Sequence, residues 1–234
     1  MIEGERRLKP KIWDYNFYLM TEIRKSLQDT IETELPPGGH PVVVDYGWGT
    51  RPYESVFQGR VGRYIGVDVG ANSQADIRLE PGQQVPLPDQ SVDLILSVQV
   101  LEHVVDVDGY LSECKRLLRP GGVLVLSTHG WWVYHLYPTD VRRWTCWGIK
   151  YEVERFGFQV NRQYGCVGPL AYTAQLRLQL VRGFLHQFGH LAAPVINLMS
   201  AFTQVWMMAL DWITPKDIKQ QNSVVYLVSA YRRP

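Results

Sequence analysis

Three groups of residues have types and spacing that could do chemistry. The first is Asp45-Tyr46-Gly47-Trp48-Gly49-Thr50-Arg51-Pro52. Its glycines let the backbone turn sharply and approach a ligand closely, because a Cβ there would occupy the ligand's space. Asp68 stands 23 positions beyond Asp45, the interval at which an acidic side chain meets the ribose of an adenine nucleoside. Its carboxylate can accept from both ribose hydroxyls at once. A dinucleotide fingerprint needs a third glycine where Pro52 stands, so a nucleotide-dependent oxidoreductase is the weaker reading. The second group is Gln99 with Leu101-Glu102-His103, and the third is the aromatic stretch from His129 to Trp147. Imidazole titrates near neutral pH, so His135 and His103 in those two stretches are candidate general bases.

These residues need elements to hold them. Apolar side chains at Ile12, Leu19, Ile23, Leu27 and Ile31 follow nearly a four-residue repeat, which predicts an amphipathic leading helix from Ile12 to Leu35, stopped by Pro36-Pro37-Gly38-Gly39. Four short apolar runs follow, at 42–44, 64–67, 92–96 and 123–126, and their β-branched content suits strands buried on both faces. Between the third and fourth runs, Val107, Tyr110, Leu111, Cys114, Leu117 and Leu118 share one helical stripe. The repeated unit is strand, helix, strand, with a helix expected after the glycine turn as well. It implies a parallel sheet whose ligands sit beyond the carboxyl ends of the strands. An extended segment restarts at Phe158-Gln159-Val160, and a last strand is expected over 224–231.

The totals set limits. A chain of 234 residues can bury one full core plus an insertion, so a single domain is expected. Lys plus Arg at 24 against Asp plus Glu at 23 leaves no global field for nucleic acid. Cys114, Cys146 and Cys166 are odd in number and lack metal-ligand spacing, which argues against a disulfide framework and against a metal site. The charged N-terminal stretch carries no export signal, and a cytoplasmic location is the expectation.

VVVDYGWGTRPYE, YIGVDV, ADIRLE, PLPDQSVDLILSVQVLEHV and LLRPGGVLVLST occur in that order. Together they resemble the type-11 methyltransferase domain of the class I S-adenosylmethionine-dependent enzymes, over about residues 42–160. The resemblance implies an α/β, Rossmann-like fold: a mostly parallel seven-stranded sheet with helices on both faces. Here a helical insertion would precede the last strand. The expected layout is a leading helix at 1–38, a cofactor-binding core at 40–165, the insertion at 170–213 and a final strand at 224–232. It implies S-adenosyl-L-methionine as cofactor and S-adenosyl-L-homocysteine as product. Asp45, Gly47 and Gly49 match the loop against the methionine end, and Asp68 matches the ribose acid. Glu80 stands where the family usually has an Asp against the adenine amino group, and Gln99 matches the position facing the reacting end. Methyl transfer needs mainly positioning, and a base only where the acceptor must lose a proton.

The acceptor side is expected in THGWWVYHLYPTDVRRWTCWG, which holds half of the chain's eight tryptophans. Its His135, Pro138, Asp140, Arg143, Trp144 and Thr145 are similar to a pattern in family members found with polysaccharide or surface-glycan biosynthesis. Trp131, Tyr134, His135, Asp140 and Arg143 are therefore the expected acceptor contacts. His135 is the first candidate base and His103 the second. Asp140 and Arg143, three apart, could pair on one helical turn. The acceptor is read as a small molecule or glycan-type compound, methylated most simply on oxygen. The rival of a different class is a cofactor-binding but inactive partner subunit.

No Asp, Glu, Lys or Arg occurs from Gly183 to Leu210. Two apolar stripes there predict two helices with a break at 189–194. They could cover the acceptor pocket, pair two copies into a homodimer, or rest on a membrane interface. The membrane ranks below the other two because the basic polar face of an interfacial helix is missing.

Overall fold

The computed structural model describes residues 7–35, 38–47, 49, 52–57, 59–70, 72, 74–80, 82–135 and 139–234. The Pro36-Pro37 stop, Trp48 and Pro138 lie outside the described residues.

The strands are β1 (Val42–Tyr46), β2 (Arg63–Val69), β3 (Ile77–Leu79), β4 (Val92–Val98), β5 (Leu118–His129), β6 (Phe158–Gly165) and β7 (Val225–Arg232). They form one seven-stranded sheet in the order β3-β2-β1-β4-β5-β7-β6. β1 pairs in parallel with β2 and β4, whereas β7 runs antiparallel to both β5 and β6. The chain builds outward from β1 through β2 to β3, then returns to start β4 on β1's other side. That reversal opens a crevice beyond the carboxyl ends of β1 and β4, where open α/β sheets bind ligands. The fold is the Rossmann-like class I methyltransferase fold.

Alternate side chains of β1 and β4 feed opposite cores. Val43, Leu94 and Leu96 enter one cluster with α1 (Phe17–Glu34), while Val44 and Ile95 enter the other with α2 (Val107–Leu117) and α3 (Cys146–Arg155). Such two-sided burial explains why these strands read as continuous apolar runs. In α1, Leu19, Ile23, Leu27 and Ile31 are each at most 1% exposed, as their four-residue spacing requires. The helix begins at Phe17 rather than Ile12, because Lys11 donates its N–H to the Asp14 carboxylate in a preceding turn. α2 and α3 start on side-chain caps: Asp106 accepts from Gly109 N–H, and Thr145 accepts from Gly148 N–H. Each cap is worth about 1 kcal/mol.

The helix expected after the glycine turn is reduced to one 3₁₀ turn, Glu54–Phe57. Its Phe57 is fully buried, and Gly62 then packs so closely that an added Cβ would lie 2.7 Å from the His40 carbonyl oxygen. The short link leaves no length for a full helix before β2. The predicted insertion is α4 (Pro169–Leu185) and α5 (Ala193–Ile213), broken at Gly189, where φ is 61°. A short α6 (Lys216–Gln221) leads into β7. All three cysteines are free, with Cys114 and Cys166 buried.

Candidate active site

The crevice floor is the tip of β1. Asp45 is 2% exposed and accepts a 2.6 Å hydrogen bond from the Tyr64 hydroxyl. Burial pushes its carboxyl up to about 7, opposed by the Tyr64 hydroxyl and reinforced by the charge of Asp68. Gly47 follows with φ of 89°, and an added Cβ would lie 2.4 Å from Val100 Cγ2. Only glycine permits both the turn and that approach. At Gly49 an added Cβ would meet nothing within 4 Å among the described residues.

Asp68 sits at the neighbouring tip of β2. Its carboxylate accepts from Gly49 N–H at 3.2 Å, Val69 N–H at 2.9 Å and the Asn72 amide at 2.6 Å. Asn72 also donates to the Gly49 carbonyl. The β1 and β2 tips are thereby tied into one cradle, and Asn72 is a member that the sequence motifs did not single out. Glu80, just past β3, keeps an exposed carboxylate, and its N–H donates to Gln83 Oε1. Gln99, just past β4, holds φ at 57°, a conformation uncommon for a non-glycine residue. Two bonds hold it there: its N–H donates to the Ser127 carbonyl, and its Nε2 donates to Ser127 Oγ at 3.1 Å.

The cradle passes a simple fit test for an adenosine sulfonium. It offers an exposed-side carboxylate for two hydroxyls at Asp68, a Gly49 bend with no described atom within 4 Å of an added Cβ, and a buried carboxyl at Asp45 that gains from a nearby cation.

Three histidines gather at the tips of β4 and β5. His103 Nδ1 faces the Thr139 carbonyl oxygen at 3.1 Å, and its Nε2 lies 3.4 Å from His135 Nε2. His135 Nδ1 faces Asp140 Oδ2 at 3.3 Å. Both nitrogens of His103 and Nε2 of His135 thus face partners, whereas His135 Nδ1 makes no hydrogen bond among the described residues despite its approach to Asp140. Burial, with the neighbouring imidazoles, holds His135 below its usual pKa against the pull of Asp140. His103, His135 and Asp140 lie within 4.8 Å of one another. They run in a line, with His135 offering different ring nitrogens to its two neighbours. Arg143 already neutralises Asp140, and the set reads as a hydrogen-bonded chain and not as ligands converging on one ion.

His129 differs. It is 6% exposed, and its Nδ1 faces Glu102 Oε1 at 3.0 Å without hydrogen-bond geometry, so both of those buried atoms lack a hydrogen bond among the described residues. Glu102 is fully buried and takes a further bond from the Thr128 hydroxyl. Burial alone would raise the Glu102 carboxyl, but His129 outweighs it and holds the group below its usual range. Trp132 stacks on the His129 ring at 5.5 Å with 7° between planes, and Tyr172 of α4 stands 6.2 Å from Trp132.

The expected acceptor contacts divide. Arg143 does pair with Asp140, but in a non-helical loop. It also donates to the carbonyls of Trp132, Val133 and Arg142, and it holds Asp140 down at about 2. The pair clamps the loop, and Thr145 is spent as the cap of α3. Trp131 and Tyr134 are 52% and 67% exposed and point away from the packed wall, which Trp132 supplies instead. Val141 and Arg142 donate their N–H groups to the Glu102 carbonyl, and Trp144 donates to the His129 carbonyl, so the loop is sewn to both strand tips.

Residues 44–126 match the methyltransferase domain family. A probable S-adenosylmethionine-dependent methyltransferase of Mycolicibacterium smegmatis is 49% identical over 55 residues, 24% of this chain and 21% of that protein. The ubiquinone biosynthesis O-methyltransferase of Rhodopseudomonas palustris is 30% identical over 102 residues, 36% of this chain and 40% of that protein. The matched stretch is thus less than half the length of either relative. Among solved structures, a [4+2]-cyclase, SpnF, superposes with a TM-score of 0.57 at 16% identity, covering 90% of this chain and 81% of that one.

Proposed function

We propose, on the premise that residues 44–126 form a methyltransferase domain, that this chain transfers a methyl group from S-adenosylmethionine to an oxygen of a small-molecule or glycan-type acceptor. The observation that supports acceptor chemistry is the Glu102–His129 pair. It stands at the tips of β4 and β5, with Nδ1 turned to Glu102 and no hydrogen bond to Nε2 among the described residues. Oxygen is favoured because a hydroxyl must lose a proton and His129 Nε2 is placed to take it. That one relative is named an O-methyltransferase points the same way.

When bound, S-adenosylmethionine supplies an already activated methyl group. The chain's own residues supply position. Asp68 would take the two ribose hydroxyls, with Asn72 and Gly49 holding its carboxylate in place. Asp45 and the Gly47–Gly49 bend would face the methionine end, Glu80 the adenine edge and Gln99 the reacting end. Glu102 faces the His129 ring from the β4 side. Trp132 shields one face of that ring, while the Asp140–Arg143 clamp and the His103–His135 contact hold the loop over the site.

The test is transfer of labelled methyl from the cofactor to a panel of sugars, glycan precursors and phenols, after calorimetry with cofactor and product. Labelled acceptor is the expected result. Cofactor binding with no transfer to any acceptor would favour a partner subunit, and label-free conversion would favour other chemistry on this fold.

The Asp45 shift carries a pH dependence. A carboxyl pushed up to about 7 is largely protonated below that pH, yet the cofactor's ammonium favours the ionised form. Binding must then expel a proton at low pH. Affinity is expected to fall by up to roughly tenfold per unit below pH 7 and to level off above it. Calorimetry in buffers of different ionisation enthalpy should register the released proton, and Asp45→Asn should flatten the profile. A flat profile in the parent chain would show that Asp45 does not face the ammonium.

A further inference from the structure

The outward face of the α4–α5 hairpin has the wrong polarity for water. A helix docked on a core normally turns its apolar side inward. In α5 the inward face is mixed, with Ile196 and Met207 buried beside polar groups. Ser200, Gln204 and Asp211 face the body at no more than 5% exposure. Gln204 accepts from Tyr18 N–H and donates to the Tyr15 carbonyl, and Asp211 accepts from the Tyr18 hydroxyl and from Gly168 N–H. Outward, Leu198, Phe202 and Trp212 are 74%, 73% and 84% exposed, and Val195, Val205 and Trp206 are each more than half exposed on the same stripe. Phe188 and Leu191 extend it around the tip. A contiguous apolar face of this kind is larger than monomers leave bare in water.

We propose that this face lies on an anionic lipid surface, with the helices in the plane of the interface. Charge complementarity selects that occupant over a second copy. No Asp or Glu occurs between Glu154 and Asp211, and Asp211 is buried. The charges on α4 are Arg177 and Arg182, and α5 adds none that is exposed. Arg182 packs over the Tyr15 ring at 4.3 Å, which joins the hairpin to an N-terminal turn presenting Lys9, Lys11 and Trp13 at the surface. A two-fold partner would set these cations against their own copies, with Asp14, already bound to Lys11 N–H, as the acid of that turn. Anionic headgroups would neutralise them.

The sequence-based objection, that α5 lacks a basic polar stripe, is answered by the packing. A free interfacial helix needs that stripe to face water, but the polar side of α5 faces protein. Trp206 and Trp212 have the amphipathic rings that settle at headgroup level. The helix does not cross the bilayer: Gln204 and Asp211 bind it to α1 along its length, and Gly189 interrupts the apolar run.

The experiment is flotation of the full chain with vesicles of phosphatidylcholine and phosphatidylglycerol in equal parts, beside phosphatidylcholine alone. Binding to the mixed vesicles, weakened by salt, is expected. Leu198→Asp with Phe202→Asp should lower the partition coefficient by roughly 100-fold while leaving the circular dichroism unchanged, since both side chains already face solvent. Arg177→Glu should lower it by about tenfold and only at low salt. Should the double variant misfold, quenching of parent-chain tryptophan by brominated lipid, reduced in Trp212→Phe, gives the same reading. No binding to either vesicle overturns the proposal. So does lipid binding indifferent to the double variant, or a sedimenting dimer without lipid binding that the double variant abolishes.

Discussion

S-adenosylmethionine binds the Asp68→Ala variant about 10²–10³-fold more weakly than the parent chain: that is the largest effect expected in calorimetry. The carboxylate is already held by Gly49 N–H, Val69 N–H and the Asn72 amide, so it meets a ribose without reorganising. Hydrogen bonds to a charged group contribute about 1.5–3 kcal/mol each, and losing two at the lower part of that range, about 3–4 kcal/mol, gives the stated fold-change. Part of the loss would be structural, because Asp68 also anchors the Gly49 turn. Asn72→Ala separates the two contributions: it removes an orienting contact and spares the acceptor oxygens, and about a tenfold loss is expected. If Asp68→Ala bound the cofactor as the parent does, the adenosine moiety would have to lie elsewhere.

Turnover of an alcohol acceptor is expected to drop by about 10²–10³-fold in His129→Ala, with cofactor affinity changed by no more than about twofold. The imidazole is buried, stacked on Trp132 and backed by Glu102, while its Nε2 is unengaged. A purely structural role would not predict two accompanying results. Added imidazole should restore part of the rate in the cavity left behind. Acceptors with a more acidic hydroxyl should lose less, because they need less help in shedding the proton. His135→Ala, by contrast, should raise KM more than it lowers kcat, since His135 gives Nε2 to the His103 contact and its backbone N–H to the clamped Asp140, and acts through the loop. A His129→Ala enzyme with full turnover and a dead His135→Ala enzyme would reverse the assignment.

The parts of the site legible in the sequence are those held by one backbone segment. The Gly47–Gly49 bend follows a buried strand directly, and Asp68 ends the next strand, so order and spacing place both at neighbouring strand tips. The acceptor loop was legible in composition but not in orientation. Trp131 and Trp132 are adjacent and chemically identical, and only the path of the chain after β5 turns Trp132 onto His129 and Trp131 to solvent. Asp140 and Arg143 read as acceptor contacts because they are charged and close in sequence. Their donors and acceptors are consumed by loop carbonyls and by each other, which no spacing reveals.

Hydrophobic periodicity and glycine chemistry are local, and from them the sequence alone determined the parallel sheet, the leading helix, the cradle at β1 and β2 and the two insertion helices. Tertiary packing decided which imidazole faces the buried carboxylate, because Glu102 lies in the turn after β4 and His129 ends β5, and they meet only when β4 and β5 pair. It also decided which side of α5 is inward. An apolar stripe ordinarily turns toward the core, but the partners offered by the start of α1 and the turn before it include the polar groups of Tyr18 and Tyr15. Satisfying those groups outweighs burying Leu198 and Phe202, and the apolar stripe is left facing out.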